Sequence, residues 1–129
     1  MVTPEHPDQV IEAFCAAESS GDRAAWLSLF APDANLEEVG SATPGPCGLD
    51  ALGEFFDETV APLDMHLRPT ARPIVTGDEA LAFFEAHVGH GAERVALDRL
   101  VDHFVFDGEG RIVAVRAFMD LSATRSDPE

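Results

Sequence analysis

Arg99-Leu-Val-Asp-His-Phe-Val-Phe-Asp-Gly-Glu-Gly110 decides how this chain folds. With a period of two it is a β-strand running into a tight turn. Leu100, Asp102, Phe104 and Phe106 share one face, and Arg99, Val101, His103 and Val105 share the other. Asp102 therefore stands inside an apolar row, where a carboxylate must be hydrated by a cavity, paired or protonated. Burial raises a carboxyl pKa by up to roughly 3–5, enough to keep the acid neutral at physiological pH. A neutral Asp in an apolar pocket is a hydrogen-bond donor; the competing reading is a rim Asp that accepts from backbone or Arg.

Outward from this stretch, Asp107-Gly-Glu-Gly110 is a hairpin signal, and Arg111–Leu121 follows as the last strand. Its face of Val113, Val115, Ala117, Met119 and Leu121 is wholly apolar. Upstream, Leu63–Val75 alternates, with Pro69 and Pro73 marking a bulge or an edge, and Ala80–Val88 and Glu93–Phe106 complete a meander of four strands. The first helix is expected over residues 4–20, with Thr3 or His6 ahead of a proline and Gly21 as the left-handed cap. Asp22 caps a second helix, Arg23–Phe30, stopped by Pro32. A short strand, Asn35–Val39, and a turn-rich loop, Gly40–Gly48, lead to a third helix at about 49–60. Helices followed by a meander make an α+β fold. A curved, mixed and mostly antiparallel sheet wrapped around three N-terminal helices would enclose a pocket. One domain spans 1–129, with a polar tail from about residue 122.

The composition narrows the function. A formal charge of −16 argues against nucleic acid and anionic membrane surfaces as partners. The eight basic residues are all Arg, so Schiff-base chemistry on a Lys side chain is excluded. Tyr is absent too, which removes the phenol as donor or acid. Cys15 and Cys47 are too isolated for a disulfide framework, and Cys15 fits a small core residue. The five His are scattered and imply no metal site; no Gly-rich loop follows a strand, so no nucleotide cofactor is expected. Without a signal peptide or membrane span, the chain is expected to be soluble and cytoplasmic.

Thr3-Pro-Glu-His6, Gly21-Asp22, Leu29-Phe30-Ala31 ahead of Asp33-Ala34, Glu37-Glu38-Val39-Gly40-Ser41, Asp102-His-Phe104 and Gly108-Glu-Gly110 together resemble the bacterial ketosteroid isomerases. The likeness runs to about residue 120. It implies the nuclear-transport-factor-2-like cone, usually a homodimer, in a superfamily that also holds dehydratases, epoxide hydrolases and non-catalytic binders. In that family a carboxylate base moves a proton between carbons flanking an enone, while a tyrosine and a protonated Asp stabilise the dienolate oxygen. By resemblance Asp102 matches the donor, Glu38 the base, normally Asp, and Phe14 the tyrosine. Losing that phenol removes an oxyanion donor, typically worth ~10²–10³ in rate.

The resemblance also turns Leu81, Phe83, Glu85 and His87 toward the pocket, with His87 a candidate second donor. Alternation alone prefers Ala82, Phe84, Ala86 and Val88 inward; both hold if the outer face is a dimer interface. The implied ligand is a small hydrophobic carbonyl or steroid-like compound, such as a 3-oxo-Δ5-steroid. The implied lining is Phe14, Met65, Phe83, Glu85, His87, Leu100, Phe104, Val115 and Met119, with Glu37 and His103 facing away. Epoxide hydrolysis or cyclisation by Glu38, Glu85 and Asp102, and non-catalytic binding of a hydrophobic ligand, are the competing functions.

Overall fold

The structure, a computed structural model, describes residues 6–127. Thr3, Pro4 and Glu5, and the last two residues of the expected tail, lie outside the described residues. Helix α1 spans Pro7–Ser20 and buries Val10, Ile11, Phe14, Cys15, Ala17 and Glu18. Its proline occupies the first turn, where a missing N–H costs nothing. Gly21, at φ 72°, ends it in the left-handed conformation that a side chain would strain. Asp22 then accepts from the Ala25 N–H and caps α2, Arg23–Leu27.

The second helix is shorter than expected, and the strand after it is longer. Strand β1 runs Phe30–Glu38 and includes Pro32. Pro32 is exposed, where a strand lacking one N–H donor is tolerated. The loop after β1 folds back over its free edge: Leu36 N–H donates to the Pro46 carbonyl and Gly48 N–H to that of Ala34. Gly45 is required there, since a Cβ would collide with the Leu36 carbonyl. Helix α3, Leu49–Phe55, continues through a wider turn at Phe56–Val60 and a tighter one at Ala61–Leu63.

The expected strand at 63–75 is two strands, β2 (Met65–Pro69) and β3 (Ile74–Thr76), interrupted where Pro69 and Pro73 predicted a break. Strands β4 (Glu79–Val88), β5 (Val95–Phe106) and β6 (Ile112–Met119) form the meander. The expected polar tail is also structured: β7, Thr124–Ser126, pairs antiparallel with Val95–Leu97 of β5. The sheet order is β1-β6-β5-β4-β2, with β3 added to β4 and β7 to β5. Only the β1–β6 pair among the described strands is parallel, so the sheet is mixed and mostly antiparallel.

Two local devices set which side chains face the helices. Phe106 pairs with Ile112 but Val105 with Ala114, so Val113 is an extra residue in β6. This bulge resets the alternation and buries Ile112, where unbroken periodicity would turn Val113 inward. At the turn, Asp107 Oδ1 accepts from the N–H groups of Glu109 and Arg111. The core on the helix side centres on aromatic rings: Phe14 meets Phe104 edge-on at 5.2 Å, and Trp26 lies 4.7 Å from Phe30 and 5.2 Å from Phe56. Asp107→Ala removes both of these turn hydrogen bonds, and urea unfolding is expected to show a loss of about 1–2 kcal/mol.

Candidate active site

Strand register builds the site. Glu38 on β1 pairs with Ala117 on β6, and Ala117 pairs with Asp102 on β5. Residues directly opposite one another in a sheet project to the same face. Glu38 and Asp102 therefore point to one side, with only the Ala117 methyl between them. Two interstrand spacings put their Cα atoms roughly 9–10 Å apart. The next row, Leu36, Val115 and Phe104, is buried and forms an apolar floor.

Helix α1 and the chain around α3 close the other side. Phe14 and Glu18 from α1, Phe55 and Thr59, and Leu63, Met65 and Leu67 complete a cavity of about 120 Å³ with Leu36, Glu38, Leu100, Asp102, Val115, Ala117 and Met119. The backbone N–H of Leu67 donates to Ser19 Oγ at 3.1 Å, tying β2 to α1 at this wall. Asp102 is partly buried, and the loss of water pushes its carboxyl up to about 7. No Arg or His lines the cavity to oppose that shift.

Glu18 was not anticipated as part of this site. Its side chain is 8% exposed, and its Oε2 accepts from the indole N–H of Trp26 at 3.0 Å. Burial, then the nearby Asp102, raises its carboxyl to about 8, while the Trp26 bond pulls the other way. Its signal in the sequence is spacing: Glu18 lies four residues after Phe14 and seven after Ile11, on the helix stripe that faces the core. Cys15 beside it is buried and its thiol is pushed up to about 12, first by burial and then by Glu18. A thiol in that state is no nucleophile at neutral pH.

The expected residues divide in two. Glu38, Asp102, Phe14, Met65, Leu100, Val115 and Met119 all border the cavity. Phe104 is fully buried beneath it, packed on Phe14. Phe83, Glu85 and His87 do not reach it. Ala80, Ala82, Phe84 and Ala86 hold the inner face of β4, so the inward orientation implied by resemblance is corrected for its alternate residues. Leu81 is exposed, and Glu85 is bound by Arg68 and His87. His87 Nδ1 meets Asp127 Oδ2 at 2.6 Å, holding the end of the chain rather than serving the pocket. His103 pairs with Glu79 and Glu37 with Arg116, both outside the cavity. Among the described residues no three His, Cys, Asp or Glu side chains are placed to hold a metal ion. Among them, too, no helix is long and apolar enough to cross a membrane.

A helix-lined hollow on a mixed, mostly antiparallel sheet, with acids set into its wall, defines an α+β fold of the nuclear-transport-factor-2-like type. The chain belongs to the SnoaL-like domain family, which it matches over residues 11–115. Solved structures share its fold. RV0760c from Mycobacterium tuberculosis, in complex with estradiol-17beta-hemisuccinate, superposes with a TM-score of 0.81 at 20% identity, covering 95% of this chain and 98% of that one. A computationally designed 17-OHP binder gives 0.82 at 20% identity over 100% of both chains. The epoxide hydrolase/cyclase-like enzyme SalBIII, of pyran ring formation in polyether salinomycin, gives 0.80 at 20% identity over 95% and 97%.

Glu18 and Asp102 both hold their protons more tightly in the folded chain than in the unfolded one. The stability they contribute is complete below the ordinary carboxyl range and is lost as pH rises through about 7 and about 8. Thermal melts from about pH 5 to about pH 9 are expected to show wild type losing more Tm than the Glu18→Gln/Asp102→Asn double variant, which has neither proton to lose.

Proposed function

We propose that this protein is an acid–base enzyme that isomerises a small, largely apolar enone, with Glu38 as the base and Asp102 as the donor to the carbonyl oxygen. The observation that carries this reading is the row Glu38–Ala117–Asp102, two carboxyls projecting to one apolar hollow on either side of a single methyl. Glu38 takes a proton from the carbon next to the carbonyl. The electron pair moves into the conjugated system, and the enolate oxygen accepts a hydrogen bond from neutral Asp102. Glu38 then returns the proton to the far carbon, so the substrate gains and loses nothing. Base and donor must stand apart by the width of the conjugated system, as the register spacing permits. Two acids with unlike surroundings in one site are a recurrent arrangement for such chemistry.

A conjugated product absorbs in the ultraviolet, so turnover of a 3-oxo-Δ5-steroid and of smaller β,γ-unsaturated ketones measures the activity directly. Wild type is expected to exceed background, and Glu38→Gln to lower kcat by about 10²–10⁴. Ala117→Leu fills the gap between the carboxyls and is expected to raise KM steeply. Tight ligand binding with no turnover dependent on Glu38 would instead assign the protein as a binder.

Epoxide opening, by hydrolysis or ring closure, is the second reading, favoured by a third carboxyl in the cavity. Glu18 or Asp102 would protonate the epoxide oxygen while Glu38 takes the proton of the attacking hydroxyl. Glu85, turned away and bound by Arg68, has no part in either scheme.

The outer sheet face supports a homodimer. Ile74, Leu81 and Phe118 are exposed around a shallow hollow of about 430 Å³ that also includes His103. A second copy of this chain is its proposed occupant, and cytoplasm its proposed setting. Sedimentation is expected to show a dimer in wild type and a monomer in Leu81→Glu.

A further inference from the structure

Phe14 offers the cavity no polar atom, yet the same helix face carries an acid one turn further on. Phe14 and Glu18, four residues apart, both border the cavity that Asp102 and Glu38 share. We infer that Glu18 is a second hydrogen-bond donor to the ligand oxygen, working beside Asp102. This inference rests on the isomerase reading for its reaction but not for its binding chemistry.

The geometry assigns the proton. A carboxyl has two oxygens, and the indole N–H of fully buried Trp26 takes Oε2. An N–H can only donate, so Oε2 acts as the acceptor and the proton falls to Oε1. Trp26 thereby fixes both the rotamer and the donor end of Glu18. A Gln would satisfy Trp26 equally well through its amide oxygen, so the indole alone does not call for an acid. The groups that face Glu18 across the cavity are Asp102 on β5 and Glu38 on β1, both acidic, and both favour the protonated form. Below about pH 7, a negative charge forming on a ligand oxygen would thus meet two protonated acids, Glu18 and Asp102. The ligand class that follows is a planar, apolar compound with one oxygen that becomes anionic: an enolisable ketone in turnover, a phenol as its resting mimic.

Phenols of graded acidity test this without any turnover. Binding of 4-chlorophenol, 4-cyanophenol and 4-nitrophenol is followed by ultraviolet absorbance, which reports both affinity and the ionised fraction when bound. Glu18→Leu is expected to weaken phenolate binding by about tenfold or more, with the loss growing as the phenol becomes more acidic. Glu18→Gln keeps a weaker N–H donor and should fall between Leu and wild type. In wild type, phenolate affinity should drop as pH rises through about 7, when Asp102 ionises, and again past about 8, when Glu18 does; Glu18→Gln should keep the first fall and lack the second. Trp26 fluorescence and melting curves identify any variant whose core has collapsed, in which case Glu18→Gln alone decides through its pH profile. Affinities within about threefold of wild type in folded Glu18→Leu, or an unchanged alkaline limb in Glu18→Gln, overturn the inference. If wild type turns over no enone yet loses phenolate on Glu18→Leu, the isomerase reading falls and the donor stands. If turnover needs Glu38 but ignores Glu18, the reading stands and the donor falls.

Discussion

Two carboxyls deprived of water, with no cation in reach, are the constraint on which this structure turns. The chain is strongly acidic, yet its arginines pair on the surface: Arg23 with Asp57, Arg99 with Asp120, Arg116 with Glu37, Arg125 with Asp98. None lines the cavity. An Arg there would pull Asp102 and Glu18 into their charged forms and convert two donors into two acceptors. Excluding the cation holds both acids above the ordinary carboxyl range, Asp102 to about 7 and Glu18 to about 8, at the expense of a fold that is weaker at high pH.

The aromatic packing beneath the site serves that electrostatic end. Phe14, Trp26, Phe30, Phe56 and Phe104 form a nearly continuous layer between helices and sheet. They exclude water from one side of Asp102 and Glu18, and Trp26 adds the polar handle that orients Glu18. Phe14 is thus a working part of the core. Fold stability and site chemistry share the same rings.

Much of this was legible in the chain itself, for reasons of periodicity. Asp102 is conspicuous because a period of two places it among Leu100, Phe104 and Phe106, and Gly21 and Asp107-Gly-Glu-Gly110 mark their turns by backbone demands few other residues meet. What escaped were features decided by a partner. β7 is short and polar, and becomes a strand only because Val95–Leu97 offers it an unpaired edge, which Asp127 then fastens to His87 and Arg94. Pro32 ended the second helix on paper, but β6 supplied a parallel partner that drew the chain into β1 on both sides of it. Glu18 was hidden because a single acid on a helix stripe looks like the stripe's solvent edge until the packing of α1 is known. Glu85 and His87 were misdirected by analogy, where alternation in β4 alone placed them correctly.

The methyl of Ala117 separates two properties that many sites entangle. The span between the flanking acids is fixed by backbone pairing, which no side-chain replacement on β6 alters. The room above that span depends on one small group. A change at this one position therefore resizes the space a ligand would enter while leaving the two carboxyls where the sheet puts them.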